Sequence, residues 1–536
     1  MILAAIGSHD PGRMALQDEN RNLRYGEIAA AVAKRRTALH DASVKVLGLA
    51  LDNGVDWLLW DLAALSAGIV CVPLPPFFTR SQAYHAITTA AVSHIVSAEG
   101  LDPVDPKKTA KMQPREMQSR LSDDSGCRNS LEGGENFSNG NNGNGIREDN
   151  GEGGSHARRA DSYHAGPYQN DAGAGTGKAV LKGTAKITFT SGTTGTAKGV
   201  CLPERAMADV AASIVQVLGE EFVGIHLSVL PLSVLLENVA GVYAGLLAGC
   251  TIRLLPLERF GASYEFLHDA LKQARASSVI VVPEILRALM AQTAKLGPLP
   301  DLRFVAVGGA KLDPRLILQA RALGLPVYEG YGLSECASVV SLNTPENDCA
   351  GTVGKPLSHV SLRFADGSIH VSNPGFLGYV GEPLDGDFDT GDLGALDDNG
   401  FVTLTGRRKN VLITSYGRNV SPEWVEAALL AQPQIAQAVV YGDGRAQLSA
   451  LIVPADQQAD RQNTLAQTTL ARNTLAMAVE QANMTLPDYA QIHDFQSIPP
   501  LTADDGLLTG TGRPRRTEVF KRYLKFQEQG KAYDIL

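Results

Sequence analysis

Residues Thr190–Val200 read TSGTTGTAKGV and follow the apolar run KITF at 186–189. Gly192, Gly195 and Gly199 allow backbone amides to turn inward around an anion, and the hydroxyls of Thr190, Ser191, Thr193, Thr194 and Thr196 can donate to phosphate oxygens. Lys198 adds a compact positive charge. A Walker loop requires Gly-x4-Gly-Lys-Ser/Thr at the start of a helix. Here the lysine is separated from Gly195 and no hydroxyl follows it, so the spacing excludes that loop. A phosphate cradle of another kind remains, and, for the stretch alone, so does a Gly/Thr-rich surface turn.

The flanking chain reads as alternating helices and strands. YGEIAAAVAKRRTALHD (25–41) has apolar residues at helical spacing, VKVLGLALD (44–52) is a buried strand, WLLWDLAALSAG (57–68) is a helix ending on glycine, and IVCVPLPP (69–76) is the next strand. Such alternation predicts a parallel sheet covered on both faces. Beyond the loop, LSVLPLS, SVIVVP, LRFVAVGG and GLPVYEGYG read as further buried strands, and VAGVYAGLLAGCTI (239–252) as a buried helix and strand. After the charged joint GRRKN (406–410) the chain starts again with VLITSYGRNVSPEWVEAALL, AQAVVYGD and LSALIVP, a smaller α+β unit. The expected division is 1–406 and 407–536. Within the first part, 112–178 is dominated by Gly, Asn, Ser, Asp and Glu and cannot bury enough apolar surface to offset chain entropy. It reads as a disordered insertion, with a partner-binding segment as the alternative.

The length of 536 residues requires at least two folded units. Hydrophobic residues at 44%, charged residues at 20% and a net charge of -9 describe a soluble protein without a nucleic-acid-binding face. Cys71, Cys127, Cys201, Cys250, Cys336 and Cys349 show no metal-ligand or disulfide spacing, which fits a reducing cytoplasm. The opening MILAAIGSHDPGR lacks the basic flank and apolar length of a secretory leader, and no apolar run is long enough for a transmembrane segment.

Other patterns follow the loop in order: YEGYGLSE (328–335), GTVGKP (351–356), NPGFLGY (373–379), DTGDLG (389–394) and GRRKN (406–410). Together with the loop they resemble the signatures of the AMP-forming adenylating enzymes, which include acyl-CoA synthetases, peptide-synthetase adenylation domains and luciferases. The resemblance runs from YGEIAAAV to GRPRR, outside the insertion. LPLSVLLEN (230–238) and DDGLLTGTGRPRR (504–516) look most like the long-chain fatty acyl branch. Glu237 is retained there, while Val234 stands where histidine is usual and Asn238 where arginine is usual.

The resemblance implies an α/β fold: a large N-terminal domain with doubly wound sheets plus a distorted β-barrel, and a small, mobile C-terminal α+β domain. It also implies the chemistry. A carboxylic acid and ATP give an acyl-adenylate and pyrophosphate, and a thiol, that of coenzyme A or of an acyl carrier protein, then displaces AMP. Thr190, Ser191, Gly192, Thr193, Thr194, Gly195 and Lys198 would hold phosphate. Glu335 would bind Mg²⁺, whose oxygen preference suits one carboxylate plus phosphate and water. Tyr331 would stack on adenine, with Gly309, Gly332 and Ser334 around the nucleotide. Asp392 would accept the ribose hydroxyls, Arg407 would assist, Lys409 would be the hinge, and Gly417 would lie beside pantetheine. In isolation, Glu335 also reads as a helix N-terminal charge and DTGD as an ordinary turn.

A further residue departs from the branch. Where a lysine normally serves adenylation, TGTGRPRR places Arg513 followed by Pro514. A planar guanidinium is no simple replacement for a compact ammonium. Three readings of the chain stand: a long- or medium-chain fatty acid–CoA ligase with impaired or altered adenylation, a ligase that delivers to a carrier protein, and a non-catalytic adenylate-binding homologue.

Overall fold

The computed structural model describes residues 1–104, 179–190, 197–261, 264–455, 465–502, 505–509, 512–526 and 533–535. The insertion read over 112–178 lies outside the described residues.

The first expected elements form where the apolar spacing puts them. The helix Tyr25–Asp41 begins at Arg24, whose amide donates back to Glu27 Oε2 at 2.7 Å. The helix Val55–Ala67 buries Trp57, Leu58, Leu59 and Leu62 and ends on Gly68, whose φ of 65° suits the left-handed cap. Tyr25–Asp41 packs on Val55–Ala67, which in turn packs against an eight-stranded sheet ordered Glu382–Pro383, Gly378–Tyr379, Lys198–Leu202, Lys186–Thr190, Val70–Pro73, Val46–Leu49, His94–Ser97 and Gly100–Pro103.

A second sheet has nine strands, with the parallel run Val327–Leu333, Phe304–Val307, Ser278–Val281, Ile225–Ser228 and Thr251–Leu254 at its centre. These strands are apolar on both faces because helices cover both sides. The helices Pro283–Leu296 and Pro314–Ala322 each begin with proline, whose missing amide costs nothing at that position. Both sheets share one continuous apolar core. Their strands end toward a common side, where loops carrying chemistry are normally found in α/β folds.

The stretch 239–252 differs from its reading in one respect. The strand forms at Thr251–Leu254, but the preceding turn is a π-helix, Leu236–Tyr243, before the α-helix Ala244–Ala248. A buried polar cluster explains the wider turn. Lys186 Nζ contacts Asp61 Oδ1 at 2.9 Å, Asn238 Oδ1 at 2.5 Å and Tyr243 Oη at 3.1 Å. Asn238 and Tyr243 meet the same ammonium at the i, i+5 spacing of a π-helix.

The expected distorted barrel is built from an antiparallel sheet ordered Ser361–Ala365, Ser368–Ser372, Phe388–Leu396 and Val402–Arg407. Val353 N donates to Val402 O at 2.8 Å and Val402 N to Gly354 O at 2.9 Å, which joins that sheet to the edge of the nine-stranded one. Beyond it, the strands Ile435–Tyr441, Leu448–Pro454 and Ile492–Ser497 form a small sheet with apolar clusters on each face. The helix Pro422–Leu430 packs on one of them, and Arg516 ties the other side to Glu426 at 2.6 Å. No helix among the described residues is long and apolar enough to cross a membrane.

Candidate active site

A cavity of about 1180 Å³ opens where the two large sheets meet the small C-terminal unit. That exceeds the usual range of about 300–1,000 Å³ for a drug-sized ligand. Its wall is polar around Lys198, Glu335 and Arg513 and apolar around Ile214, Leu218 and Phe304.

The residues that flank the loop reach the polar wall. Thr190 pairs with Lys198 across the antiparallel strands Lys186–Thr190 and Lys198–Leu202, and both line the cavity. His85 Nε2 lies 2.8 Å from Ala197 O and anchors the returning arm. Ser191, Gly192, Thr193, Thr194 and Gly195 lie outside the described residues. Lys198 Nζ sits 4.5 Å from the ring centroid of Tyr379, within cation–π range. Tyr379 Oη donates to Glu335 Oε1 at 2.9 Å. One tyrosine therefore joins the loop lysine to the carboxylate read as a metal ligand, and burial beside Glu335 pushes its phenol upward.

Tyr379 reaches this place because its short strand pairs with Val200 and Cys201, next to Lys198. It belongs to NPGFLGY but carried no assigned role in the sequence reading, because its partner strand is far away in the chain.

Glu335 stands in a single turn, Ser334–Cys336, after the strand Val327–Leu333. Gly332 precedes it, and a β-carbon there would fall 1.8 Å from Ser338 O, so only glycine fits this crossing. The donor set suits Mg²⁺: a hard carboxylate on the wall of a cavity sized for phosphates, which would supply the remaining oxygens together with water. Among the described residues, no three His, Cys, Asp or Glu side chains converge on an all-protein metal cage.

Arg513 enters from the C-terminal unit. Its backbone N donates to Thr509 Oγ1 at 3.0 Å, which fixes the turn, and its Nε donates to Gly309 O at 2.5 Å. Gly309 has φ 89°, a conformation that favours glycine and turns its carbonyl toward the arginine. Burial, followed by the like charge of Arg407, lowers the Arg513 guanidinium to about 10. It therefore stays charged near neutrality.

The ribose reading meets a more buried geometry. Asp392 Oδ1 pairs with Arg407 Nε at 2.8 Å, and Asp392 Oδ2 accepts from Tyr331 Oη at 2.7 Å. Tyr331, Gly332, Ser334, Arg407 and Lys409 line the cavity, whereas Asp392 lies behind that wall. Two of its four acceptor directions are in use. Asp389, from the same DTGD stretch, does line the cavity. The Gly391 amide, Arg408 and Ser368 outweigh its burial and hold it down at about 2. Gly417 is not brought to the cavity. It sits with φ 71° on an exposed hairpin between Leu412–Ile413 and Asn419–Val420, because the C-terminal unit turns its Arg513 side inward.

Behind Tyr331, Glu329 is buried, and burial raises its carboxyl to about 8 despite the Leu312 amide and Lys311. An acid held above its unfolded value favours folding fully below about pH 4.5, and that contribution fades as pH rises through about 8. Glu329→Gln should therefore leave stability near pH 4 almost unchanged and raise it at pH 8.5 by up to about 4 kcal/mol. Urea unfolding at both pH values checks this, and equal effects at the two would contradict it.

The chain belongs to the AMP-binding enzyme family, whose profile matches residues 4–380. The profile of the AMP-binding enzyme C-terminal domain matches residues 409–528. Over 245 residues, 42% of this chain and 41% of the relative, it is 37% identical to the long-chain-fatty-acid–CoA ligase FadD15 of Mycobacterium bovis. Over 283 residues, 49% of this chain and 56% of the relative, it is 32% identical to the 2-succinylbenzoate–CoA ligase of Bacillus velezensis. These matches span roughly half the length of each curated relative. The fold is shared with the anthranilate CoA ligase AuaEII in complex with anthranoyl-AMP, at a TM-score of 0.72 and 15% identity, covering 97% of this chain and 96% of that one.

Proposed function

We propose that this chain is an AMP-forming ligase that activates a medium- or long-chain fatty acid with ATP and transfers the acyl group to the thiol of coenzyme A. The observation that carries this reading is the convergence of Lys198, Tyr379, Glu335 and Arg513 on a cavity whose other half is apolar. Family membership supports the adenylate chemistry, and the relatives named above differ in their acids, so the fatty substrate rests on the apolar half.

In the first half-reaction a carboxylate oxygen attacks the α-phosphorus of ATP. The bond from that phosphorus to the bridging oxygen breaks, and pyrophosphate leaves. Lys198 and the loop hold the departing phosphates, and Arg513 faces the charge that builds between carboxylate and α-phosphate. A Mg²⁺ ion held by Glu335 would supply further charge neutralisation on the phosphate oxygens. Fixed charges of this kind act mainly by positioning and electrostatic stabilisation. In the second half-reaction the thiolate attacks the acyl carbon, the carbon–oxygen bond to phosphate breaks, and AMP leaves. Lys409, in the turn Arg408–Asn410 between the two units, would be the hinge through which the C-terminal unit changes its inward side.

AMP release measured with a panel of carboxylic acids, with and without coenzyme A, tests the reading. AMP and acyl-CoA with fatty acids are expected. AMP without thioester points to a carrier-protein acceptor, and no AMP with any acid sinks the proposal.

A further inference from the structure

The apolar half of the cavity runs along the face of the nine-stranded sheet, and its rows can be read from strand register. Ser278 pairs with Phe304 and Ile280 with Ala306, while His226 pairs with Ser278 on the other side. The row nearest Arg513 carries Gly308, the middle row Ile280 and Ala306, and the far row His226, Ser278 and Phe304. From Gly308 to Phe304 is about 13 Å at the rise of a strand. An extended carbon chain advances about 1.3 Å per carbon from its bond lengths and angles, so about ten carbons reach the far row.

A tunnel for plain hydrocarbon should stay apolar there, and this one does not. His226 Nδ1 lies 3.0 Å from Ser278 Oγ, and His226 Nε2 lies 3.0 Å from Glu237 Oε1. Glu237 Oε2 accepts from Leu230 N at 3.3 Å, and both His226 and Glu237 are fully buried. Burying this pair costs solvation that apolar side chains of similar volume would avoid. The backbone is also adapted to it. A β-carbon at Gly241 would fall 2.6 Å from His226 Nε2 and 2.8 Å from Glu237 Oε1, so only glycine leaves the pair room.

The relay ends on a hydroxyl at the cavity wall. A serine has one donor and two acceptor positions, and the bond to His226 uses one of them. When His226 Nε2–H donates to Glu237, Nδ1 accepts a hydrogen bond from the Ser278 hydroxyl and the serine oxygen can accept from a ligand. When both ring nitrogens are protonated, Ser278 receives a hydrogen bond and can donate onward. A ligand hydroxyl satisfies either form.

We propose that Ser278, positioned by His226 and Glu237, recognises a hydroxyl at the far end of the acyl chain, so that the preferred substrate is an ω-hydroxy fatty acid of about ten carbons. This rests on the adenylation reading for the carboxylate end. Calorimetric titration of the full chain with decanoate and with ω-hydroxydecanoate tests it without catalysis. The hydroxy acid should bind about tenfold more tightly, the worth of one net hydrogen bond. Ser278→Ala should bring that ratio to about one, and Glu237→Gln should reduce it, an effect on the ratio that a merely structural role would not produce. Equal binding of the two acids, no binding of either, or a preference that survives in Ser278→Ala overturns the proposal. AMP release with the same acids reports separately on the adenylation reading: a binding preference without AMP leaves tail recognition standing and removes the ligase.

Discussion

Arg513→Ala is expected to slow acid-dependent pyrophosphate release by two to three decades, which corresponds to about 3 to 4 kcal/mol of transition-state stabilisation. Arg513 Nε is committed to Gly309 O at 2.5 Å, so the terminal nitrogens of the fork are what remain for charge in the cavity. The substitution removes both the charge and the tie to the large domain. Thioester formation from synthetic acyl-adenylate should change far less, because in the proposed mechanism that step uses another side of the C-terminal unit. Measuring the two half-reactions separately checks this, and an equal loss in both would contradict it. Arg513→Lys then tests the departure itself. A gain in pyrophosphate release would show that the planar fork costs rate at a site suited to a compact ammonium, and no gain with any fatty acid would show that arginine serves fully.

The second large effect is expected at Glu335. Glu335→Gln keeps the contact with Tyr379 but removes the charge offered to a hard cation. Adenylation should fall by about two to three decades, the typical cost of losing one preorganised electrostatic contact, and the Mg²⁺ concentration needed for half-maximal rate should rise. Tyr379→Phe separates the two roles of the cluster, because it keeps the ring beneath Lys198 and deletes only the hydrogen bond to the carboxylate. A Glu335→Gln enzyme with unchanged rate and unchanged Mg²⁺ dependence would remove this residue from the mechanism.

Much of the fold was legible because its signals are local. The 3.6-residue spacing of Tyr25–Asp41, the glycine stop at Gly68 and the continuous apolar strands around Val279 and Val305 each depend on neighbouring residues alone. The π-helix at Leu236–Tyr243 was not legible, since its cause is Lys186 and Asp61, brought in from two distant elements. The candidate site divides in the same way. Lys198 and Glu335 stand out in short motifs, whereas Tyr379 matters only through a strand pairing that no motif encodes. His226 carries no motif at all, and only the fold brings Glu237 and Ser278 to its two nitrogens. Asp392 shows the limit of a motif: DTGD lies within the strand Phe388–Leu396, where Asp389 lines the cavity while Asp392 holds Tyr331 and Arg407 from behind.

The central claim is that the cavity joins a carboxylate to AMP. The most direct measurement is acid-dependent exchange of labelled pyrophosphate into ATP by the full chain, without coenzyme A. The account predicts exchange that requires both a fatty acid and Mg²⁺, yields AMP, and drops sharply in Lys198→Ala. Exchange independent of any acid, or turnover of ATP to ADP and phosphate instead of AMP and pyrophosphate, would contradict it.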